Sequence, residues 1–371
     1  MASTSRSEQP DVCSSPDQQN LLFEDIISPS FDKLNEALSL EAKFQPKLQL
    51  PVSSQDGHEV TVGIRDGSAH VLRSLKIWYD LPSEVLFVAA NLMDRFLTKM
   101  KVRPKHMACI SIASFQLACV AVCSDSNNVC ENSDTTVSVP TAEDILAISQ
   151  CRCSRGDLFR MQSVIAAKTG VSAAGGRPVT AYVFLQIFHE LLARAGTEIY
   201  ARAINAYELC QRLEVIVCDA ACSSLRPSIV SLVLLCCQLD SVVASLRPAP
   251  SRQEVTTLVT LIGQLQTHCR ISERLFYSCH SIVLDILARY DAESQLPHRQ
   301  RLIWRLSQRT RRHLRPTQRL VTTLATIDEH RSLSRLGHQR RRRSGDGSSS
   351  EEEWAGVNWN SLLWHRRVSH S

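Results

Sequence analysis

Aromatic side chains make up only 6% of the 371 residues, and glycine and proline contribute just 13 and 14. That scarcity argues against a turn-rich β protein and for helices whose cores are built of Leu, Val, Ile and Ala. The N-terminal "MASTSRSEQPDVCSSPDQQ" has no apolar stretch, so no secretory signal is read there. The longest apolar run, Ile229 to Cys237, is far short of the ~20 residues that a membrane helix needs. A soluble intracellular chain with no membrane contact is therefore expected. Catalytic signals are missing as well. There is no Gly-rich phosphate loop and no nucleophile elbow, and the 12 His are scattered. Cys151-x-Cys153, Cys119-x3-Cys123 and Cys218-x3-Cys222 lack the paired spacing of a zinc site. No enzyme, cofactor or metal is expected from these features.

The chain exceeds the roughly 250–300 residues at which one core stops growing, so two domains with tails are expected. Apolar residues are 44% and charged residues 21%, ordinary for a globular protein. The 14 cysteines fall mostly inside apolar helical runs and read as free thiols of a reducing compartment. The net charge of +5 conceals an asymmetry: Arg299 to Arg343 holds 14 Arg, no Lys, and only Asp328 and Glu329 as acids. That local +12 leaves about −7 elsewhere, which suggests a docking or localisation element on a mildly acidic body, with nucleic-acid binding unlikely.

An all-α fold follows from the periodicity. Residues 1–29 are expected to be disordered, and 30–67 to hold a helix from Ser30 to about Phe44 and a polar linker. A first domain, 68–172, contains five helices. They begin at Ser68, at Ser83 (read as a cap), at His106 after Pro104, at Thr141 with its capping-box-like Asp144, and near Gly156, the last ending at Gly170. After "AAGGRP", a second domain, 173–295, carries five more: Val179–Ala195, Glu198–Arg212, Pro227–Ala244, Glu254–His268 and Ser272–Ala288. An Arg-rich helical segment, 296–336, and a disordered Arg/Ser/acidic tail, 337–371, complete the chain.

"LMDRFLTKM" places Asp94 inside an apolar helix, where an unpaired carboxylate would cost roughly 3–5 kcal/mol. Arg95 points about 100° away around the helix and is a poor partner. Arg73, in the apolar run "VLRSL", has the mirror-image problem, so an Arg73–Asp94 pair is expected unless Asp94 lies at a solvated edge.

"VLRSL" followed by "SEVLFVAANLMDRFLTKMKVRPKHMACISIASFQLAC" resembles the cyclin box, and among cyclins it is most similar to the G type. The basis is the short Arg73-to-Asp94 interval of 21 residues, with "KFQP", "AISQCRC", "RPSIVSLVLL" and "RLIWRLSQRT" as further similar pieces. The resemblance implies two tandem five-helix cyclin-box domains, and it makes the Arg73–Asp94 pair architectural. It implies a cyclin-dependent kinase as partner and, for the G type, a B′ regulatory subunit of protein phosphatase 2A. A kinase-anchoring Lys and Glu of the family fall at Val120 and Gln162, and the usual acidic pair at Ala121 and Val122. Those changes would remove two charge-assisted hydrogen bonds of ~1.5–3 kcal/mol each. An adaptor role in cell-cycle progression is therefore expected ahead of kinase activation. A helical scaffold, or a cyclin-fold factor associated with nucleic acid, is the alternative. The family's substrate-docking patch falls at Leu72, Leu75, Lys76 and Tyr79, where the Lys76 ammonium would repel basic docking peptides.

In the tail, Arg340, Arg341, Arg342 and Arg343 read as a nuclear-localisation element or a solvated charge run, giving an expected location in nucleus and cytoplasm. Ser348, Ser349 and Ser350 precede three Glu, a context favoured by acidophilic kinases, and phosphates there would act on the Arg cluster. Replacing Arg340–Arg343 by Ala should abolish nuclear accumulation of a fluorescently tagged chain; unchanged accumulation contradicts the localisation reading.

Overall fold

The computed structural model describes residues 16–126, 139–149, 151–170, 177–195, 198–243, 246–247 and 250–291. Among them there is no strand. The order is α1 (Pro16–Phe44), α2 (Val62–Trp78), α3 (Ser83–Lys99), α4 (Met107–Ser126), α5 (Ala142–Ser149) and α6 (Arg155–Thr169). It continues with α7 (Ala181–Arg194), α8 (Glu198–Ala203), α9 (Ala206–Val217), α10 (Pro227–Val243), α11 (Arg252–His268) and α12 (Glu273–Asp291). The Arg-rich segment, Arg340–Arg343 and Ser348–Ser350 lie outside the described residues.

Two apolar clusters organise these helices. One gathers Leu72, Leu86, Met93, Phe115, Ile145 and Ile165 from α2 to α6. The other gathers Leu34 of α1 with Phe184, Leu213, Leu235, Ile262 and Phe276 from α7 to α12. α3 is buried without a break from Val85 to Phe96, so it is the central rod of the first cluster, packed on α4 and α6. The small residues of α4, among them Ala113, Ser114 and Ala118, let it approach α3 closely, and all three are buried. By length and composition alone, the helix over Pro104–Cys123 could cross a membrane, but most of it is enclosed by its neighbours.

Local signals set most of the boundaries. The Thr141 hydroxyl accepts from the Asp144 amide at 3.2 Å as α5 begins. A reciprocal Ser154–Asp157 capping box opens α6, and Gly170 ends it at φ +68°, the left-handed geometry that glycine adopts without strain.

Four boundaries differ from the sequence reading. α1 begins at Pro16, not Ser30: its upstream sequence lacks glycine, and Pro29 is carried within the helix. α2 begins at Val62, six residues before Ser68, because Thr61 accepts from the Ile64 amide and caps it. Gly63 and Gly67 lower helix propensity there by about 1 kcal/mol each, which disguised the turn as linker. The expected Glu198–Arg212 helix is two helices, since Asn205 accepts from the amides of Tyr207 and Glu208 and starts α9 afresh. Ser83 is the first residue of α3 rather than its cap, and its hydroxyl donates to Glu214 at 2.7 Å.

Candidate protein-interaction surface

The early start of α2 decides the polar core of the molecule. It places Arg65 in the first turn, fully buried and facing Asp94 of α3. Arg65 Nε donates to Asp94 Oδ1 at 2.9 Å and Nη2 to Oδ2 at 2.6 Å, a bidentate fork that matches carboxylate geometry. The expected Arg73–Asp94 pair is thus corrected: Asp94 is buried and paired, but with Arg65, 29 residues upstream. Burial on its own would pull the Arg65 pKa down; the adjacent Asp94 carboxylate outweighs it and raises the pKa. Arg95 points elsewhere, donating to the Thr169 carbonyl with its guanidinium 5.1 Å over the Phe44 ring.

The same guanidinium ties the two clusters together. Arg65 Nη2 also donates to the Val217 carbonyl at 3.1 Å, and Asp66 accepts from the Ala220 amide at 2.8 Å. Burial pushes the Asp66 carboxyl up to about 6, Arg65 acts against that rise, and the nearby Asp219 adds to it.

Arg73 takes part in a second junction one helix face away. Its Nε donates to Glu214 of α9 at 3.3 Å, and Lys76 Nζ donates to the other carboxylate oxygen at 2.6 Å. Glu214 is buried, so two cations and the Ser83 hydroxyl together compensate its desolvation. Lys76 is therefore neutralised rather than displayed. Leu72 and Leu75 are buried in the first core, and the hydroxyl of half-buried Tyr79 is enclosed. The expected docking patch at Leu72, Leu75, Lys76 and Tyr79 is not a surface.

The outward face of α4 and α6 is the remaining candidate. Val120 is 46% exposed, an unusual setting for a valine on a helix that is otherwise mostly core. Gln162 of α6 donates through Nε2 to the Gln116 side chain at 2.6 Å, one helical turn before Val120 on α4. Ala121 is half-buried and Val122 buried. Phe159 and Val164 are exposed on α6. Around Gln162 the face holds exposed Val120 and Phe159, the latter under the Arg155 guanidinium at 5.3 Å, and a self-satisfied amide pair, with no ionic anchor at Val120 or Gln162.

Among the described residues no group of His, Cys, Asp and Glu is arranged to hold a metal ion. The twelve described cysteines are free thiols. Burial pushes Cys151 up to about 11 and Cys218, Cys269 and Cys279 to about 12, so they remain protonated at neutral pH.

Sequence reasoning missed Arg65 and Glu214. The available signals were Thr61 as a cap ahead of Arg65, and a lone Glu in the apolar run "LEVIV". Replacing Asp94 or Arg65 by Ala should cost ~3–5 kcal/mol, because either change strands a buried charge. Arg73→Ala should cost less, since Lys76 still compensates Glu214. Denaturant unfolding checks that order, and an Arg73→Ala loss equal to that of Arg65→Ala contradicts it.

Comparison with known proteins gives consistent relatives. Residues 32–168 match the family described as cyclin, N-terminal domain. The chain is 40% identical to Cyclin G of Drosophila melanogaster over 347 residues, 91% of this chain but only 57% of that relative. It therefore spans little more than half of the fly protein's length. It is 30% identical to Cyclin-G1 of Bos taurus over 324 residues, 86% of this chain and 98% of that one. With Cyclin-G2 of Homo sapiens the identity is 28% over 301 residues, covering 80% of each. Among solved structures, a viral cyclin from herpesvirus saimiri aligns with a TM-score of 0.47 and 15% identity, over 70% of this chain and 99% of that one.

Proposed function

The chain belongs to the cyclin family as a G-type member, and on that premise we propose that it regulates cell-cycle progression as a protein adaptor. It works through contacts with other proteins and carries out no reaction of its own. The observation that carries the adaptor reading is the neutral α4–α6 face, with Val120 exposed and Gln162 bonded to Gln116. Cyclins of the kinase-activating kind place a Lys and a Glu there to hold the kinase's regulatory helix. Without those two charges the contact loses hydrogen bonds worth ~1.5–3 kcal/mol each, or one to two orders of magnitude in affinity apiece.

The partner favoured by this reading is a B′ regulatory subunit of protein phosphatase 2A, with a cyclin-dependent kinase as a weaker or non-activated associate. Apolar contact through Val120 and Phe159 suits a partner recognised by shape rather than by ion pairing. Residence in both nucleus and cytoplasm belongs to the same proposal and rests on the sequence of Arg340–Arg343.

Restoring the charges tests the reading directly. Val120→Lys combined with Gln162→Glu should increase capture of a purified cyclin-dependent kinase by about tenfold or more, measured by pull-down and histone phosphorylation. If the native chain already activates such a kinase strongly, or if the double substitution changes nothing, the neutral face is not what limits kinase binding.

A further inference from the structure

Lysine is unevenly distributed in this chain. Of its eight lysines three are Lys99, Lys101 and Lys105, and none follows Lys168. The stretch from Arg95 to Ser124 contains no acidic residue. Between α3 and the 3-10 turn Pro104–His106 the backbone is extended, with Met100 at φ −133°, ψ 128° and Arg103 at φ −83°, ψ 145°. Side chains of an extended segment alternate between faces, and here the alternation separates apolar from basic. Met100 and Val102 pack on the first core, whereas Lys101 and Arg103 are exposed, followed by exposed Lys105 and His106.

A second loop reaches the same edge. Cys153 Sγ lies 3.2 Å from Cys151 Sγ, and both thiols act on that of Cys109, which sets the loop carrying exposed Arg152 near the end of α4 that carries Lys105 and His106. Acids on the neighbouring helices are engaged: Glu143 of α5 pairs with Arg155 at 2.6 Å, and Asp157 of α6 pairs with Arg160. Lys101, Arg103, Lys105 and Arg152 make no salt bridge among the described residues. Four cations thus stand unneutralised along one edge, remote in sequence from the Arg-rich segment.

We infer that this edge, Lys101, Arg103, Lys105 and Arg152, is a docking surface for an extended acidic segment of a partner protein. Lys101 and Arg103 are two residues apart, a separation of roughly 6.8 Å in extended chain, so the matching ligand carries an acid at every second residue. A nucleic acid fits less well, because no aromatic side chain is displayed along the segment to stack a base. A lipid surface fits less well too, since Met100 and Val102 face the core and nothing apolar is left to insert. The chain's own Glu351–Glu353 are not the occupant proposed, because Arg340–Arg343 precede them closely and would be repelled.

The test uses the full chain and a labelled synthetic peptide of alternating Glu and Ala, coupled with a carbodiimide that joins carboxylates to lysine amines. Because the Arg-rich segment has no lysine, peptide held there leaves no amide with it, and the position of each crosslink distinguishes this edge from the other lysines. Crosslinks mapped by mass spectrometry should concentrate at Lys101 and Lys105. Yield at Lys105 should fall about tenfold when Lys101→Glu and Arg103→Glu are combined, with thermal unfolding unchanged. A peptide of the same charge arranged as Glu-Glu-Ala-Ala should couple less. Crosslinks spread evenly over Lys33, Lys43 and Lys47, or a Lys105 yield indifferent to the double reversal, overturn the inference. So does preferential blocking by duplex DNA or by anionic vesicles over the acidic peptide at equal charge.

Discussion

Arg65 and Asp94 meet where almost no water reaches, 29 residues apart in sequence and joined by two short hydrogen bonds. A guanidinium and a carboxylate removed from solvent cost several kcal/mol each unless they find one another in good geometry. That requirement fixes how α2 crosses α3, and through the third arm of Arg65 it reaches the Val217 carbonyl at the end of α9. Asp66, beside it, holds the Ala220 amide, and Glu214 gathers Arg73, Lys76 and Ser83 a few turns away. The two apolar clusters are therefore joined by polar groups with directional demands, not merely by contact of greasy surfaces. Charged groups stabilise such a junction little compared with apolar packing, but they make misaligned packings costly.

The interaction face is supported by that frame. α4 is held between α3 and α6, which leaves its outer side, with Val120, free to meet a partner. That side presents an exposed valine and, from α6, the Gln162 amide satisfied by Gln116. Burial raises the pKa values of the thiols in the interior and keeps them protonated. Its basic elements, the Lys101–Lys105 edge and the Arg-rich segment, are separate in sequence, and only the first carries lysine.

Much of this was legible in the residues. α3 to α6 follow from apolar spacing, the Thr141 and Gly170 signals and the small side chains of α4. The burial of Asp94 follows from its neighbours. What the pattern could not supply was its partner. Arg65 sits between Gly63 and Gly67 in a stretch whose local propensity is poor, and only the capped turn at Thr61 and the tertiary ion pair make it helical. Arg73, in an obviously apolar run, looked the better candidate because Glu214, its own partner, is 141 residues away. Pairings across long separations depend on how helices cross, and a single sequence carries that information only weakly.

The account's central claim is that this cyclin frame presents a face for an adaptor's partners and not for kinase activation. Affinity purification of the tagged full chain from dividing cells, with phosphatase and histone-kinase activity measured in the eluate, tests it most directly. The account predicts phosphatase activity with the native chain, kinase activity at background, and loss of the phosphatase from an Asp94→Ala chain whose frame is broken. Strong stimulated kinase activity in the native eluate, with no phosphatase, would contradict it.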